Sequence, residues 1–363
     1  MSNQIPFLEI GGSSYEQGFR HGREFKEKIP ILVENHFRHL ESRSKANSIS
    51  VSKKDSLALA GKHLPYAKQY SSQLIDEIHG IAEGSELSFE DVFCLNCFLD
   101  LYDISVPSLG LLFGCTCFAL STQATGNQAI FVGQGYDTPS VYQIGAVVLK
   151  IKPDHGPTKL VFTIAGMVGC AGLNSYGIGL AINKLFPKDS RPGVPYTFIV
   201  RDVLDQIKIG DALGSILRPK RASGINYVLA EKNGELYCVE TTASEYDIIY
   251  GFDGFLCHAN HYLTEKMKTW DITTVLTYNS IVRFSRMQRL VRDKFGTIGI
   301  DDLEAFLKDH VNYPLSICRH EDPSFNEYVV GKTISSFVFD PLNLVARVSL
   351  GNPCENGFTE FRI

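Results

Sequence analysis

The texture of this chain changes near residue 106, and the place of that change restricts the folds open to it. Up to about residue 105 apolar residues recur at helical spacing, whereas from Cys115 onward the period drops to two. In the first block Ser14 with Gln17 reads as a capping box. It opens a helix that continues through Phe19, Phe25 and Ile29 into Ile31-Leu32. Leu74, Ile75, Ile78, Ile81 and Ala82 then repeat at helical spacing until Gly84 stops the run. Ser88 with Asp91 opens a third helix, from 89 to about 103, and Pro107, Ser108 and Gly110 break it. The second block predicts strands over 115–120 and 129–135, joined by a turn at Thr125-Gly126-Asn127. Further strands are predicted over 146–151, 159–164, 169–173, 177–182, 226–230, 236–241, 333–339 and 344–350, with helices over 197–217, 278–292 and 301–309. Helices and strands are segregated rather than alternating, which favours an α+β fold over a βαβ one.

The remaining composition narrows the class of function. With 363 residues, 44% hydrophobic and 21% charged, the chain can bury one large core or two smaller ones and is not a disordered protein. Lys and Arg number 35 against 40 Asp and Glu, a net charge of −5, so no basic excess exists for nucleic acid. The most apolar window, 106–120, is too short to span a membrane and is interrupted by Pro107, Ser108, Gly110 and Gly114. The opening Met-Ser-Asn-Gln-Ile-Pro lacks a basic and then apolar leader, and nine cysteines form no framework pattern. Reduced thiols in the cytoplasm are expected.

No phosphate-binding loop, G-x-S-x-G elbow or H-E-x-x-H motif occurs in the sequence. Cys94 and Cys97 sit within an apolar helix and read as packing. His258 and His261 lack a third ligand at diagnostic spacing, so no metal site is expected. The informative pair is Gly114-Cys115, at the point where strands begin. A Gly before a Cys at a strand start suits self-cleavage: the thiol attacks the preceding carbonyl, and Gly tolerates a strained backbone. Cleavage would leave Cys115 with a free α-amine, whose ordinary pKa near 8 lets it act as general base without a catalytic His.

Several segments carry a resemblance over nearly the whole chain. They are Gly12-Ser13-Ser14-Tyr15-Glu16-Gln17-Gly18 with His21-Gly22, Glu77-Ile78-His79-Gly80-Ile81-Ala82-Glu83-Gly84, and Gly114-Cys115-Thr116. Gly133-Gln134-Gly135-Tyr136-Asp137, Asn174-Ser175-Tyr176-Gly177 leading to Asn183, and His258-Ala259-Asn260-His261 follow, with Asn312-Tyr313-Pro314-Leu315-Ser316-Ile317-Cys318-Arg319 the most specific. The chain resembles the acyl-CoA:6-aminopenicillanic acid acyltransferase family, within the N-terminal nucleophile hydrolases.

That resemblance implies a four-layer αββα sandwich with a mostly helical N-terminal segment. It also implies self-cleavage between Gly114 and Cys115 into a 1–114 and a 115–363 chain that stay associated as one domain. Cys115 would be the nucleophile, forming a thioester with a small N-acyl substrate. Asn260 would donate its amide to the oxyanion, and Asp137 would orient the α-amine or, with Tyr136, grip the substrate. Asn183 would be a second oxyanion donor or simply a strand-end Asn. Arg283 and Arg286 match a helix that carries an active-site Arg in the bile-salt hydrolase branch, with surface solvation as the alternative. No cofactor is implied, although acyl-CoA could serve as co-substrate.

Departures from the family pattern bear on the substrate. Cys117 stands where Thr is common, and Gly135 replaces an Asn. Val329-Val330 occupies the place of a Ser-Arg pair whose Arg contacts a substrate carboxylate in the penicillin-forming branch, and a valine cannot pair a carboxylate. Three competing expectations remain: a hydrolase of β-alanyl-amine conjugates, a Cys-His protease using His258 or His261, and an unprocessed binding protein with the same fold.

Overall fold

The computed structural model describes residues 4–45, 50–105, 114–272, 278–323, 327–328 and 331–363. Pro107, Ser108, Gly110 and Val329-Val330 lie outside the described residues. The N-terminal segment opens with a strand, β1 (Phe7–Gly12), and continues as helices α1 (Ser14–Glu24), α2 (Ile29–Lys45), α3 (Lys53–Gly61), α4 (Leu64–Tyr70), α5 (Ser72–Gly84), α6 (Phe89–Asn96) and α7 (Phe98–Ser105). The capping box falls one residue earlier than the sequence suggests. Ser13 is the N-cap and Glu16 closes the box, while Gln17 turns its amide to the Gly12 carbonyl. The helix expected to run on to Leu32 stops at Glu24, and α2 is a separate element. The helix expected from 89 to 103 is likewise two, because the Asn96 carbonyl accepts from Thr197 Oγ1 while its side chain bridges to Gly166 and Val168.

The α1–α5 crossing brings two backbones into direct contact. Gly18 and Gly22 face Gly80 and Gly84, four residues apart on each helix. A Cβ at Gly18 would lie 1.9 Å from the Glu77 carbonyl oxygen, and one at Gly80 would lie 2.2 Å from that of Tyr15. No residue larger than glycine fits at this approach.

Among the described residues, fourteen strands build two sheets. In chain order after β1 they are β2 (Thr116–Leu120), β3 (Phe131–Pro139), β4 (Ala146–Pro153), β5 (Lys159–Ile164), β6 (Ala171–Asn174), β7 (Ile178–Leu185), β8 (Gly224–Glu231) and β9 (Leu236–Thr241). They end with β10 (Tyr246–Tyr250), β11 (Phe255–His258), β12 (Gly331–Asp340), β13 (Val345–Leu350) and β14 (Phe358–Arg362). One sheet has the order β1-β4-β5-β6-β7-β8-β9-β10 and the other β11-β2-β3-β12-β13-β14. The pairings among these strands are antiparallel except that of β1 with β4.

The sheets stack face to face, with β2 and β3 of one against β7 and β8 of the other. Every residue of β2, β3, β7 and β8 is buried, as expected of strands covered on both faces. The pleat of β2 divides the core: Cys117 and Ala119 join the large cluster between the sheets, whereas Phe118 and Leu120 join the outer one. That outer cluster lies under α11 (Tyr278–Asp293) and α12 (Ile300–Leu307), through Met287, Val291, Leu303 and Phe306. Against the other sheet pack α8 (Tyr196–Asp205) and the N-terminal helices. With α9 (Ile209–Leu217) and the short α10 (Glu265–Lys268) the order of layers is helix, sheet, sheet, helix. The expected α+β four-layer sandwich is the observed one. The helix expected over 197–217 is broken between α8 and α9, where Gln206 is extended and Asn174 takes the Leu204 and Gln206 carbonyls.

Candidate active site

Cys115 immediately precedes β2, at the mouth of the space between the sheets. Three side chains hold its backbone. The Cys115 N–H donates to Oδ1 of Asn260 at 2.8 Å, and its carbonyl accepts from Nη1 of Arg283 at 2.6 Å and Nδ2 of Asn183 at 3.2 Å. Asn260 follows β11, Asn183 sits in β7 and Arg283 in α11, so both sheets and the outer helix converge on one residue. Arg283 also reaches Thr116 Oγ1 and Asn260 Oδ1. The Cys115 thiol is nearly buried and lies 3.9 Å from the Asp137 carbonyl oxygen. Burial pushes its pKa up to about 12, with the neighbouring Asp137 charge adding to the rise. In the intact chain the sulfur is therefore a thiol.

Asp137 is held by the pairing of β3 with β12, the two central strands of their sheet. It pairs with Thr333, just before a bulge between Thr333 and Ser335, and Thr333 Oγ1 donates to its Oδ1 at 2.7 Å. Its Oδ2 is buried without a hydrogen-bond partner among the described residues. Desolvation raises this carboxyl to about 7, although Arg283, Arg319 and Thr333 all pull it down. Tyr136 and Asp137, with Phe98, Leu99, Cys115, Thr138, Ile182, Lys184 and Asn260, line a small, narrow pocket. A larger cleft lined by Tyr15, Tyr70, Asp154, Lys159 and Arg201 lies elsewhere and includes none of these residues.

The structure thus brings together Gly114, Cys115, Tyr136, Asp137, Asn183, Asn260 and Arg283. Arg283 is not a solvated surface residue: it is fully buried. Arg286 is not brought in. It faces Asp309 in a partly exposed ion pair at 2.7 Å. At Gly114 the structure shows a need for space. A Cβ on it would lie 2.9 Å from Nη1 of Arg319 and 3.0 Å from Cζ of Arg283.

Arg319 is the residue that sequence reasoning did not single out, although it ends the most specific matching octet. It is fully buried, its backbone is tied to Thr333 through both N–H and carbonyl, and its guanidinium nitrogens have no hydrogen-bond partner among the described residues. Burial lowers its pKa to about 10, so it remains a cation at neutral pH beside Asp137.

The direction of Asn260 is fixed by its partners. A backbone N–H can only donate, so Oδ1 faces Cys115, and Nδ2 donates to the Lys184 carbonyl at 3.1 Å. Asn183 likewise meets the carbonyl of Cys115 itself. His258 and His261 are engaged elsewhere. The former lies between Glu240, at 2.8 Å, and the Ala259 carbonyl, and the latter contacts Ser280 Oγ at 2.7 Å. Among the described residues no histidine reaches the Cys115 sulfur, which removes the support for a Cys-His pair.

Comparison with known proteins adds a family. The model of the family described as "Acyl-coenzyme A:6-aminopenicillanic acid acyl-transferase" matches residues 123–355. The acyl-coenzyme A:6-aminopenicillanic-acid-acyltransferase 40 kDa form of Emericella nidulans is 26% identical over 347 residues, 94% of this chain and 91% of that protein. Among solved structures, penicillin V acylase from Agrobacterium tumefaciens superposes with a TM-score of 0.46 at 13% identity, over 65% of this chain and 83% of that one. A point mutant of conjugated bile acid hydrolase from Clostridium perfringens does so at 0.45 and 10%, over 69% and 97%. At these scores the architecture rests on the sheets and layers of the chain itself.

Proposed function

Because the chain belongs to the acyl-coenzyme A:6-aminopenicillanic acid acyl-transferase family, we propose that it is an amide hydrolase or N-acyltransferase whose nucleophile is Cys115, released by self-cleavage after Gly114. The observation that carries this reading is the convergence of Asn260, Asn183 and Arg283 on the backbone of one buried cysteine beside a pocket. Any buried backbone N–H and carbonyl need partners; the distinctive feature here is that all three partners are side chains, brought from three separate elements.

In the maturation step the Cys115 sulfur attacks the Gly114 carbonyl carbon. The S–C bond forms, the C–N bond breaks, and the departing nitrogen takes the thiol proton. Water then hydrolyses the thioester, leaving a Gly114 carboxylate and an N-terminal Cys115. Arg283 and Arg319, which flank Gly114, stabilise the charge that develops there. In the mature protein the α-amine, held by Oδ1 of Asn260, takes the thiol proton as the sulfur attacks an amide carbonyl. Nδ2 of Asn260 gives one hydrogen to Lys184 and keeps the other for the oxyanion, a contribution of about 3 kcal/mol. The substrate amine leaves with a proton, and water or a second amine resolves the acyl-enzyme.

The apolar part of the pocket, from Phe98, Leu99 and Ile182, suits a small acyl group. One observation favours the β-alanyl-amine alternative: the unpartnered Oδ2 of Asp137 at the pocket wall is an acceptor for a substrate ammonium.

Intact mass spectrometry of wild type beside Cys115→Ala tests the reading. Fragments near roughly 13 and 28 kDa in wild type alone, the larger beginning at Cys115, are expected. A single full-length mass in both, with Cys115 inert to iodoacetamide, would favour an unprocessed binding protein instead.

A further inference from the structure

We propose that His310, Cys318, His320 and Cys354 form a structural zinc site. The four residues come from three separate stretches. His310 follows α12, Cys318 and His320 lie on the approach to β12, and Cys354 lies in the loop between β13 and β14. One ligand atom from each lies within 4.8 Å of all the others. His310 Nε2 and His320 Nε2 are 3.0 Å apart, and the two sulfurs 3.5 Å. His320 Nε2 is 3.7 Å from Cys318 Sγ and 3.4 Å from Cys354 Sγ.

These separations match the edges of a coordination tetrahedron. With Zn–S near 2.3 Å and Zn–N near 2.05 Å, tetrahedral edges are about 3.3 Å between nitrogens, about 3.6 Å between nitrogen and sulfur and about 3.8 Å between sulfurs. Each of the four separations falls within about 0.4 Å of its ideal. The sulfurs are far too distant for a disulfide, which requires about 2.05 Å. The surroundings also suit a metal. Asn352 Nδ2 lies 3.4 Å from Cys318 Sγ, where it would donate to a thiolate, and Glu355 Oε1 lies 3.8 Å from His320 Nδ1. His310 and Cys354 are exposed, which gives the ion a way in. Two thiolates balance the charge of a divalent ion, and four protein ligands leave no open position, so the site is structural rather than catalytic.

Its placement connects it to the catalytic reading without depending on it. Arg319, beside Gly114 and Asp137, is flanked in sequence by two of the ligands, and its carbonyl accepts from Asn352 Nδ2 at 2.7 Å. Zinc would hold this short segment to the β13–β14 loop and so fix the stem of Arg319.

The experiment uses the full chain, reduced, stripped with a chelator and dialysed against zinc, with metal content measured by mass spectrometry. About one zinc per chain is expected in wild type, and below about a tenth in Cys318→Ser and Cys354→Ser. Titration with Co²⁺ gives the second readout, and its spectrum for the stripped wild type does not depend on any variant's folding. Thiolate-to-cobalt charge transfer and intense tetrahedral d–d bands are expected, with affinity falling more than about 100-fold in Cys354→Ser. Failure of wild type to bind either ion, or full stoichiometry in both serine variants, would overturn the site. So would recovery of Cys318 and Cys354 as a metal-free disulfide. None of these outcomes bears on whether Cys115 is processed.

Discussion

The N–H of Cys115 meets Oδ1 of Asn260 at 2.8 Å, so the carboxamide presents its oxygen, not its nitrogen, to the proposed nucleophile. This separates two tasks in one side chain. Asn260→Asp keeps the acceptor and loses the amide donor, whereas Asn260→Ala loses both. The Asp variant is expected to mature and then to turn over at least about 100-fold more slowly, while the Ala variant slows both steps. Time courses of intact mass, set beside kcat, measure the two separately. Equal loss of both steps in both variants would contradict the division.

Asp137 titrates near 7 because burial outweighs two arginines. Removing one cation leaves burial less opposed, so Arg319→Met is expected to move the corresponding limb of the kcat/KM profile to higher pH. The same elevation acts on stability. The folded chain holds this proton up to about 7, whereas the unfolded chain releases it in the ordinary carboxylate range. The contribution is therefore complete at low pH and lost as pH rises through 7. A profile unmoved in Arg319→Met would mean that another group sets the limb.

Three imidazoles among the N-terminal helices act in the opposite sense. Desolvation holds His21 and His36 down to about 3 and His63 to about 4. Unfolding exposes them to protonation near 6.5, so their contribution is intact above that value and drains away as pH falls toward 3 to 4. Three such groups outweigh one carboxyl. The melting temperature is expected to fall between about pH 7.5 and about pH 5, and a flat or rising Tm over that range would refute this account.

Gly80→Ala drives a methyl group into the Tyr15 carbonyl of the facing helix, whereas Gly61→Ala, at the end of α3, meets nothing within 4 Å. The first is expected to cost about 2 kcal/mol or more and the second to be neutral or slightly stabilising. Denaturant midpoints of the two variants decide this directly. Similar values would mean that the crossing relaxes easily.

Much of this architecture was legible because β2, β7 and β8 are rich in apolar and β-branched residues and α5 and α11 keep a clean helical period. The strands that escaped notice, β1, β10, β11 and β14, lie at sheet edges; β1, β10 and β14 are partly exposed, which dilutes the apolar signal, and β11 is only four residues long. Cys115, Asp137 and Asn260 could be marked because they sit in distinctive short motifs. Arg319 sits in one too, but nothing local reveals that its guanidinium is buried beside Gly114. The Cys318–His320 node was invisible, since its other ligands are brought in only by the turn after α12 and the loop beyond β13.

β1 belongs to the first 114 residues, yet it is paired along its length with β4, from Phe7 opposite Val148 to Gly12 opposite Pro153. Asn96 reaches across to Gly166 and Val168, and Glu77 to Arg201. A cut at residue 114 would therefore leave the hydrodynamic radius and elution volume unchanged, and only denaturing separation would reveal two pieces. Expressed from separate genes, neither piece could complete its own layer: the sheet would lack an edge strand and the helices the surface they cover. If the proposed cleavage occurs, the intact chain is the folding template for a product that no longer needs the peptide bond.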